Sequence, residues 1–468
     1  MPTVAGSVAE LLDLLRGLAH VHGGRVVIDD EAAFRARGTR DLAWTATFSQ
    51  DPATVEAARW IVWEASQTLH ARSASIHDLY MARAAGEIHG FTVPAINIRA
   101  QTFDMARIIY ETAARDGVSA VICELARSEQ TYTFQRVQDY ATSVLAGAMA
   151  AGWRGPVFLQ GDHYQFNAAR YAKDPDAMTA EIRKACVDAI AAGYRNIDID
   201  SSTLVDLSKP TVDEQQHENY RRAAELTALI REQQPENETI SVGGEIGEVG
   251  KKNSTVEELV AYLAGYRREL DRLAPGAPGV SKAAVQTGTT HGGVPLPGGG
   301  VAQVALDFDV LQQLGETARR FGLAGCVQHG ASTLPDELFH RFPLVETAEI
   351  HLATGFQNAL LDHPAFPQDL RTEIEGWCTV EAADERKPGQ TDEQFLYTSR
   401  KKAIGPFKRQ LWDLATKDEI LATQAGKIRF LYRELGVDGS RDMVDRFVTA
   451  GEFHRPVPDA LREAISAR

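Results

Sequence analysis

Three histidines each stand at the end of a short apolar run, directly before a loop: VFLQGDH closes on His163, AAVQTGTTH on His291 and AGCVQH on His329. Histidine is the commonest metal ligand, and three of them with an open fourth position make a catalytic zinc pattern rather than a structural one. Any one of these residues alone reads as a structural or surface histidine. Their joint weight comes from Asp162 standing next to His163, from the glycines that follow His291 and His329, and from their recurrence at the ends of comparable runs. A carboxylate beside such a metal can take a hydroxyl proton and return it, which gives Asp162 general acid/base work.

Bringing residues this far apart onto one ion requires a scaffold that aligns the ends of many strands. The runs 93–98, 119–125, 156–161, 196–200, 239–247, 282–288, 324–330 and 345–354 are short and apolar, and most are followed by amphipathic helical stretches such as 104–117, 138–152 and 176–193. Strand alternating with helix predicts a parallel sheet, and eight such units close an α/β (β/α)8 TIM barrel. An open doubly wound sheet is the competitor. The barrel is favoured because polar candidates stand at the C-terminal ends of nearly every strand, where such barrels place their chemistry, rather than gathering at one switch point. Residues 1–85 read as an N-terminal helical extension of helices and loops, 86–370 as the barrel, and 371–468 as a C-terminal extension with a polar loop at 384–400 and helices beyond it.

Composition narrows the partners. With 468 residues, 44% hydrophobic and 24% charged, the chain has material for a large core. A net charge of -15 argues against nucleic-acid binding, which needs a concentrated basic face. Cys123, Cys186, Cys326 and Cys378 are far apart and form no CxxC pair, so a reducing cytoplasm is expected. The first residues show no basic, apolar, small-residue leader pattern, and no apolar stretch approaches the roughly 18 residues of a membrane span.

The strand ends as a set resemble the class II, zinc-dependent fructose-bisphosphate aldolase family, including the tagatose-bisphosphate aldolases, across residues 90–400. GDHYQFN (161–167) is similar to its Asp-His pair, NIDIDSS (196–202) and GGEIGEVG (243–250) to its carboxylate segments, GTTHGG (288–293) and VQHGAST (327–333) to its remaining histidine motifs, and HLATG (351–355) to its phosphate loop. The resemblance implies His163, His291 and His329 as ligands of Zn2+ and Asp162 as the acid/base. It implies Asp200 and Glu245 as carboxylates of a second metal or an alternative zinc position. Gly292, Gly330, Ser332 and Thr354 would contact phosphate and a monovalent cation, Asn97 the enediolate, and Arg400 of LYTSR (396–400) a distal phosphate through its two-pronged guanidinium. A homodimer or homotetramer acting on a small-molecule sugar phosphate, with no membrane partner, follows from the same resemblance.

The expected activity is retro-aldol cleavage or formation of a phosphorylated ketose such as fructose 1,6-bisphosphate. A zinc ion holding the carbonyl and hydroxyl oxygens stabilises the charge left on the ketone fragment. Departures from the family pattern open alternatives. Lys251, Lys252 and Asn253 occupy the loop where a ketone-side base is expected, while Glu257 and Glu258 look like the first turn of a helix. His351 and Ala353 replace an Asn and an Asp, so His351 joins the substrate-binding set with an altered side chain, and Ala126 replaces a serine. A related aldolase for a different or singly phosphorylated sugar, or a non-catalytic subunit that stabilises an aldolase, are the other readings. The GGG at 298–300 lacks a following GK[ST], and Lys282 lies at the start of its strand, so neither a nucleotide loop nor a Schiff-base lysine is expected.

Overall fold

The computed structural model describes residues 2–247, 252–288 and 306–468. Its first sheet is a hairpin, β1 (Ala19–His22) and β2 (Arg25–Ile28), within the segment expected to hold helices and loops. Gly23 and Gly24 both take positive φ, 56° and 73°, as a two-residue hairpin turn of the I′ kind requires. Val26 is buried, and Thr68, at the end of the helix Pro52–Thr68, donates to its carbonyl at 3.0 Å. A further short strand, β3 (Ala71–Ser73), adds in parallel to the start of a barrel strand.

Eight strands then form the barrel: β4 (Val93–Asn97), β5 (Ile122–Ala126), β6 (Gly155–Gln165), β7 (Asn196–Asp200), β8 (Ser241–Glu245), β9 (Lys282–Val285), β10 (Cys326–Gln328) and β11 (Glu349–Leu352). Neighbours in the ring are parallel throughout, β11 pairs with β4, and β6 pairs with both β5 and β7, which closes it. Every residue of β4 and β5 is buried, the near-continuous burial expected of parallel strands covered on both faces. Several of the connecting helices start on side-chain caps. Thr211 with Glu214 and Thr255 with Glu258 make reciprocal capping boxes, so Glu258 accepts from Thr255 N at 2.7 Å.

Barrels of this kind usually fill with branched apolar layers. Here one inward layer is charged. Lys282 Nζ donates to Gln160 Oε1 (2.7 Å), Asp198 Oδ2 (3.0 Å) and Glu349 Oε1 (2.5 Å), while Gln160 Nε2 donates to Glu124 Oε2 (2.9 Å) and Glu349 Oε1 (2.8 Å). The helix His77–Ala84 closes the barrel below this layer: the Tyr80 hydroxyl donates to Glu349, and Arg83 to Glu346 Oε2 (2.9 Å) and the Thr347 carbonyl (3.2 Å).

The C-terminal residues do two things. Leu360, Phe366, Ile374, Cys378, Ile404 and Leu411 belong to a second apolar cluster beside the barrel mouth. Within it the expected polar loop at 384–400 instead contains the helix Asp392–Ser399, capped by Thr391 and Gln394; Phe395 and Ser399, one turn apart, face inward while the polar residues stay outside. The last residues return to the N-terminal segment: Trp60 and Trp63 donate to the carbonyls of Arg455 (3.1 Å) and Phe453 (2.6 Å), and Arg468 to that of Ala9 (2.6 Å). Among the described residues no helix is long and apolar enough to cross a membrane. The four cysteines are buried and unpaired with one another.

Candidate active site

The end of β6 is bent to present its side chains. The pairing between β6 and β7 slips between Gly161 and Tyr164, and His163 sits at φ 45°, a left-handed conformation that a non-glycine residue holds only when its surroundings impose it. The Tyr164 ring folds back over Gly161, in space that any side chain there would occupy. The sharp GDH turn sends Asp162 and His163 to the same side, where His163 Nδ1 bonds Asp162 Oδ1. A histidine whose one ring nitrogen is held by a carboxylate is oriented to offer the other to a metal. Burial alone would raise the Asp162 carboxyl, but the His163 imidazole outweighs it and holds the group well below the usual carboxylate range.

Three more groups converge there. The His163 and His329 rings lie 4.4 Å apart, and Glu245, at the end of β8, stands 3.8 Å from His163 Nε2 through Oε2 and 3.7 Å from His329 Nδ1 through Oε1. These separations are too long for hydrogen bonds and leave room for a shared ion. Asp162, His163 and His329 offer ligand atoms within 4.8 Å of one another, and so do His163, Asp200 and Glu245. Asp200 is aimed by its own turn, accepting from Ser202 N (3.1 Å) and Ser202 Oγ (2.6 Å). Burial, and then the neighbouring Asp200, push the Glu245 carboxyl up to about 8, the state of a carboxylate gathered with others before a cation joins them. Neutral nitrogens and carboxylate oxygens at this density are a fitting donor set for a divalent ion such as zinc.

The cluster opens into a cavity of about 310 Å³ at the C-terminal ends of the strands, lined also by Asn97, Gly330, Ser332, His351 and Thr354. Asn97 Nδ2 donates to Glu129 Oε2 at 2.7 Å, and its Oδ1 is buried without a partner. Ser332 Oγ accepts from Gly355 N at 3.1 Å, and Gly330 takes a positive φ of 68° as the chain turns off β10. His351 points into the barrel: its Nε2 lies 2.7 Å from Glu349 Oε1, and its Nδ1 lies 3.2 Å from Asp162 Oδ1 and 3.3 Å from Glu124 Oε1. Burial works against its charge, yet Glu124 first, then Asp162 and Glu349, hold the imidazole well above its ordinary pKa. His291 and Gly292 lie outside the described residues.

The structure does not bring Arg400 to this cavity. Its guanidinium grips Asp362, with Nη2 2.7 Å from Oδ2 and a further bond to Asn358 Oδ1 at 2.7 Å, in a separate depression. The turn Arg400–Ala403 is a tight helix, so one step along it rotates the next side chain by roughly 120°. That step puts Lys401 on the cavity wall. Burial, then Arg99 and Lys402, depress its pKa. Arg99, the other cavity cation, is already held by Glu129 (2.6 Å) and Gln357 (2.9 Å). Arg99, Glu124, Glu129, Tyr132 and Lys401 were missed by reading strand ends. The available signal was charge within otherwise apolar strands, as in ICELA for Glu124, and the basic RKK run for Lys401.

A closed parallel barrel carrying a histidine–carboxylate cluster at the C-terminal ends of its strands defines the class, a (β/α)8 barrel with its site where such barrels keep theirs. The chain belongs to the class II fructose-bisphosphate aldolase family, whose model matches residues 79–405. That family is one of lyases, is generally metal-dependent and binds sugar phosphates. Among solved structures the chain is similar to a fructuronate-tagaturonate epimerase from Cohnella laeviribosi, at 11% identity over 89% of this chain and 93% of that one, with a TM-score of 0.55. It is also similar to a probable tagatose 6 phosphate kinase from Sinorhizobium meliloti 1021, at 18% identity over 80% and 97%, with a TM-score of 0.52. A fructose-bisphosphate aldolase from Campylobacter jejuni matches at 15% identity over 79% and 98%, with a TM-score of 0.47. At these identities the likeness is one of fold.

Proposed function

We propose that this protein is a zinc-dependent aldolase acting on an anionic ketose. It makes or breaks the bond between the carbon beside the ketone and the carbon bearing the aldol hydroxyl, and a phosphorylated ketose such as fructose 1,6-bisphosphate is the first candidate. The observation that carries the reading is Glu245 standing 3.7–3.8 Å from both His163 and His329 while Asp162 fixes the outer nitrogen of His163. His163 and His329, with His291, would hold the ion, and Glu245 and Asp200 would supply its alternative or second position. A zinc ion held there stabilises, as a Lewis acid, the negative charge left on the ketone fragment. Asp162 takes the proton of the aldol hydroxyl in cleavage and returns it in condensation, with His163 and His351 keeping its carboxylate in place. Asn97, fixed through Glu129, turns an unpartnered carbonyl oxygen toward the substrate hydroxyls.

The charge around the cavity favours a second reading. Among the described residues that line it, Lys401 is the cation without a carboxylate partner. One ammonium matches a single carboxylate better than the dianion of a sugar phosphate. Fructuronate and tagaturonate differ in configuration at the carbon bearing the aldol hydroxyl. The same cleavage, followed by turning of the aldehyde and re-addition, would interconvert them. Metal analysis of the purified protein, followed by assay of fructose 1,6-bisphosphate, tagatose 1,6-bisphosphate and fructuronate before and after chelation, tests both readings. Zinc-dependent appearance of a triose phosphate supports the first, and zinc-dependent appearance of tagaturonate the second. A protein that binds no divalent ion and turns over none of the three overturns both.

A further inference from the structure

We propose that Glu124 is a second proton-handling group of this site, exchanging a proton with the ketone-side carbon while Asp162 serves the hydroxyl side. The inference rests on the aldol reading above. When the carbon–carbon bond breaks, the electron pair stays on the ketone fragment as an enediolate, and release of a ketone requires a proton at that carbon. The loop at 250–258 offers little for this step. Lys251, Lys252 and Asn253 stand in it, Glu257 is exposed at the start of a helix, and Glu258 is committed to the cap of that helix through Thr255.

Glu124 is placed where the loop is not. It lines the cavity from β5, beside Asn97 of β4 in the sheet register, and it is fully buried. Its Oε2 accepts from Gln160 Nε2 at 2.9 Å. Its Oε1 accepts no well-formed hydrogen bond and lies 3.3 Å from His351 Nδ1, the nitrogen that also stands 3.2 Å from Asp162 Oδ1. One imidazole edge thus borders both carboxyl groups. Four buried carboxyl groups, Glu124, Asp162, Asp198 and Glu349, share three cationic side chains, Lys282, His163 and His351. Lys282 is bonded to Asp198 and Glu349, and His163 to Asp162, so the cation beside Glu124 is the His351 imidazole that it shares with Asp162 and Glu349. Burial first, then the neighbouring Asp162 and Glu349, favour its neutral acid over the opposing pull of His351.

In the cleavage direction the Glu124 O–H bond breaks, and its proton is taken by the electron pair of the enediolate carbon to form the new C–H bond. The carboxylate that remains is stabilised by His351 and by the Gln160 amide. In condensation the carboxylate removes that proton and regenerates the acid. Every atom and charge is accounted for within the chain and the substrate fragment.

The test uses the full-length, zinc-loaded protein and two probes, dihydroxyacetone phosphate and dihydroxyacetone, followed by deuterium exchange at the carbon beside the ketone. Glu124→Gln is expected to lower exchange by at least about 100-fold at unchanged metal content and thermal midpoint, while Glu257→Gln and Lys252→Ala exchange at the wild-type rate. Infrared spectra of the metal-free protein at neutral pH give an independent readout: beside the carboxylic-acid carbonyl band of Glu245, which is also protonated there, the wild-type minus Glu124→Gln difference is expected to show a second such band. Should Glu124→Gln fold poorly, Glu124→Asp keeps the acid but withdraws it by one methylene, and a loss of exchange with the second band retained supports the same assignment. Exchange at the wild-type rate in Glu124→Gln, or a difference without that second band, overturns the role of Glu124 and leaves the aldol reading intact. A wild-type protein that exchanges neither ketone overturns both.

Discussion

The mouth and the floor of the barrel are built from the same residue types and held in opposite ways. At the floor, Lys282 meets Gln160, Asp198 and Glu349 at 2.5–3.0 Å, and Tyr80 closes the set from below. At the mouth, Glu245 stands 3.7–3.8 Å from two imidazoles, and the His163 backbone is strained to keep its ring in position. Close contact among buried charges offsets the cost of burying them, whereas charges gathered without contact keep that cost until a ligand arrives. His351 touches both layers through Glu349 on one side and Asp162 on the other, so the packed floor steadies the open mouth.

The largest effect that separates the two regions is expected from His163. His163→Ala should lose bound metal and more than about a thousandfold in turnover, read by metal analysis and substrate assay, with little loss of fold. His163→Gly should lose the same function yet be about 1 kcal/mol more stable than the alanine variant in urea unfolding, because glycine adopts the positive φ without strain. Lys282→Met reverses the pattern. It strands Asp198 and Glu349 in the barrel, so a stability loss of about 3–5 kcal/mol should appear in denaturant titration, and a stable Lys282→Met protein would show that the floor is not a packed ion cluster.

A smaller effect follows from His77 at the start of the helix that closes the floor. Burial, and then Arg231, depress its pKa to about 4 against an ordinary 6.5. The unfolded chain therefore binds a proton that the folded one refuses between these values, and stability rises with pH from about 4 to 6.5, by at most ~1.4 kcal/mol per pH unit. His77→Gln should flatten that slope in thermal melts across the window. Lys401→Met should raise KM for the productive substrate about tenfold, the loss of one charge-assisted contact. Arg400→Ala should leave KM unchanged and cost about 0–1 kcal/mol of stability, since its partner Asp362 is half exposed. If Arg400→Ala raises KM and Lys401→Met does not, the assignment of the cavity cation is reversed.

Much of the mouth was legible because its residues sit at strand ends in recognisable turns: GDH, GGEIG and VQHGAST each place a donor just where a strand gives way to a loop. The floor was not legible in the same way. Lys282 and Glu349 begin their strands, and position along a barrel strand says only that they lie far from the rim. Glu124 and Lys282 become partners of one network through Gln160 of a third strand, a relation that no local pattern carries. The hairpin near the N-terminus was missed because two four-residue strands are too short to show a period, although the Gly23–Gly24 turn marked it. The helix at Asp392–Ser399 was hidden by a polar sequence whose buried face is only Phe395 and Ser399.

By itself the sequence determined the alternation of strand and helix, and with it the parallel barrel, the rim that carries the chemistry and the family to which the chain belongs. Periodicity and turn residues act over a few positions, so they survive without knowledge of the whole. Only the tertiary structure decided which charges meet. It sent Arg400 to Asp362 and Lys401 to the cavity, turned His351 inward between Asp162 and Glu349, and left Glu124 to share that imidazole with them. Those outcomes depend on strand register and on single-residue rotations of a tight turn, which close only when all eight strands are in place.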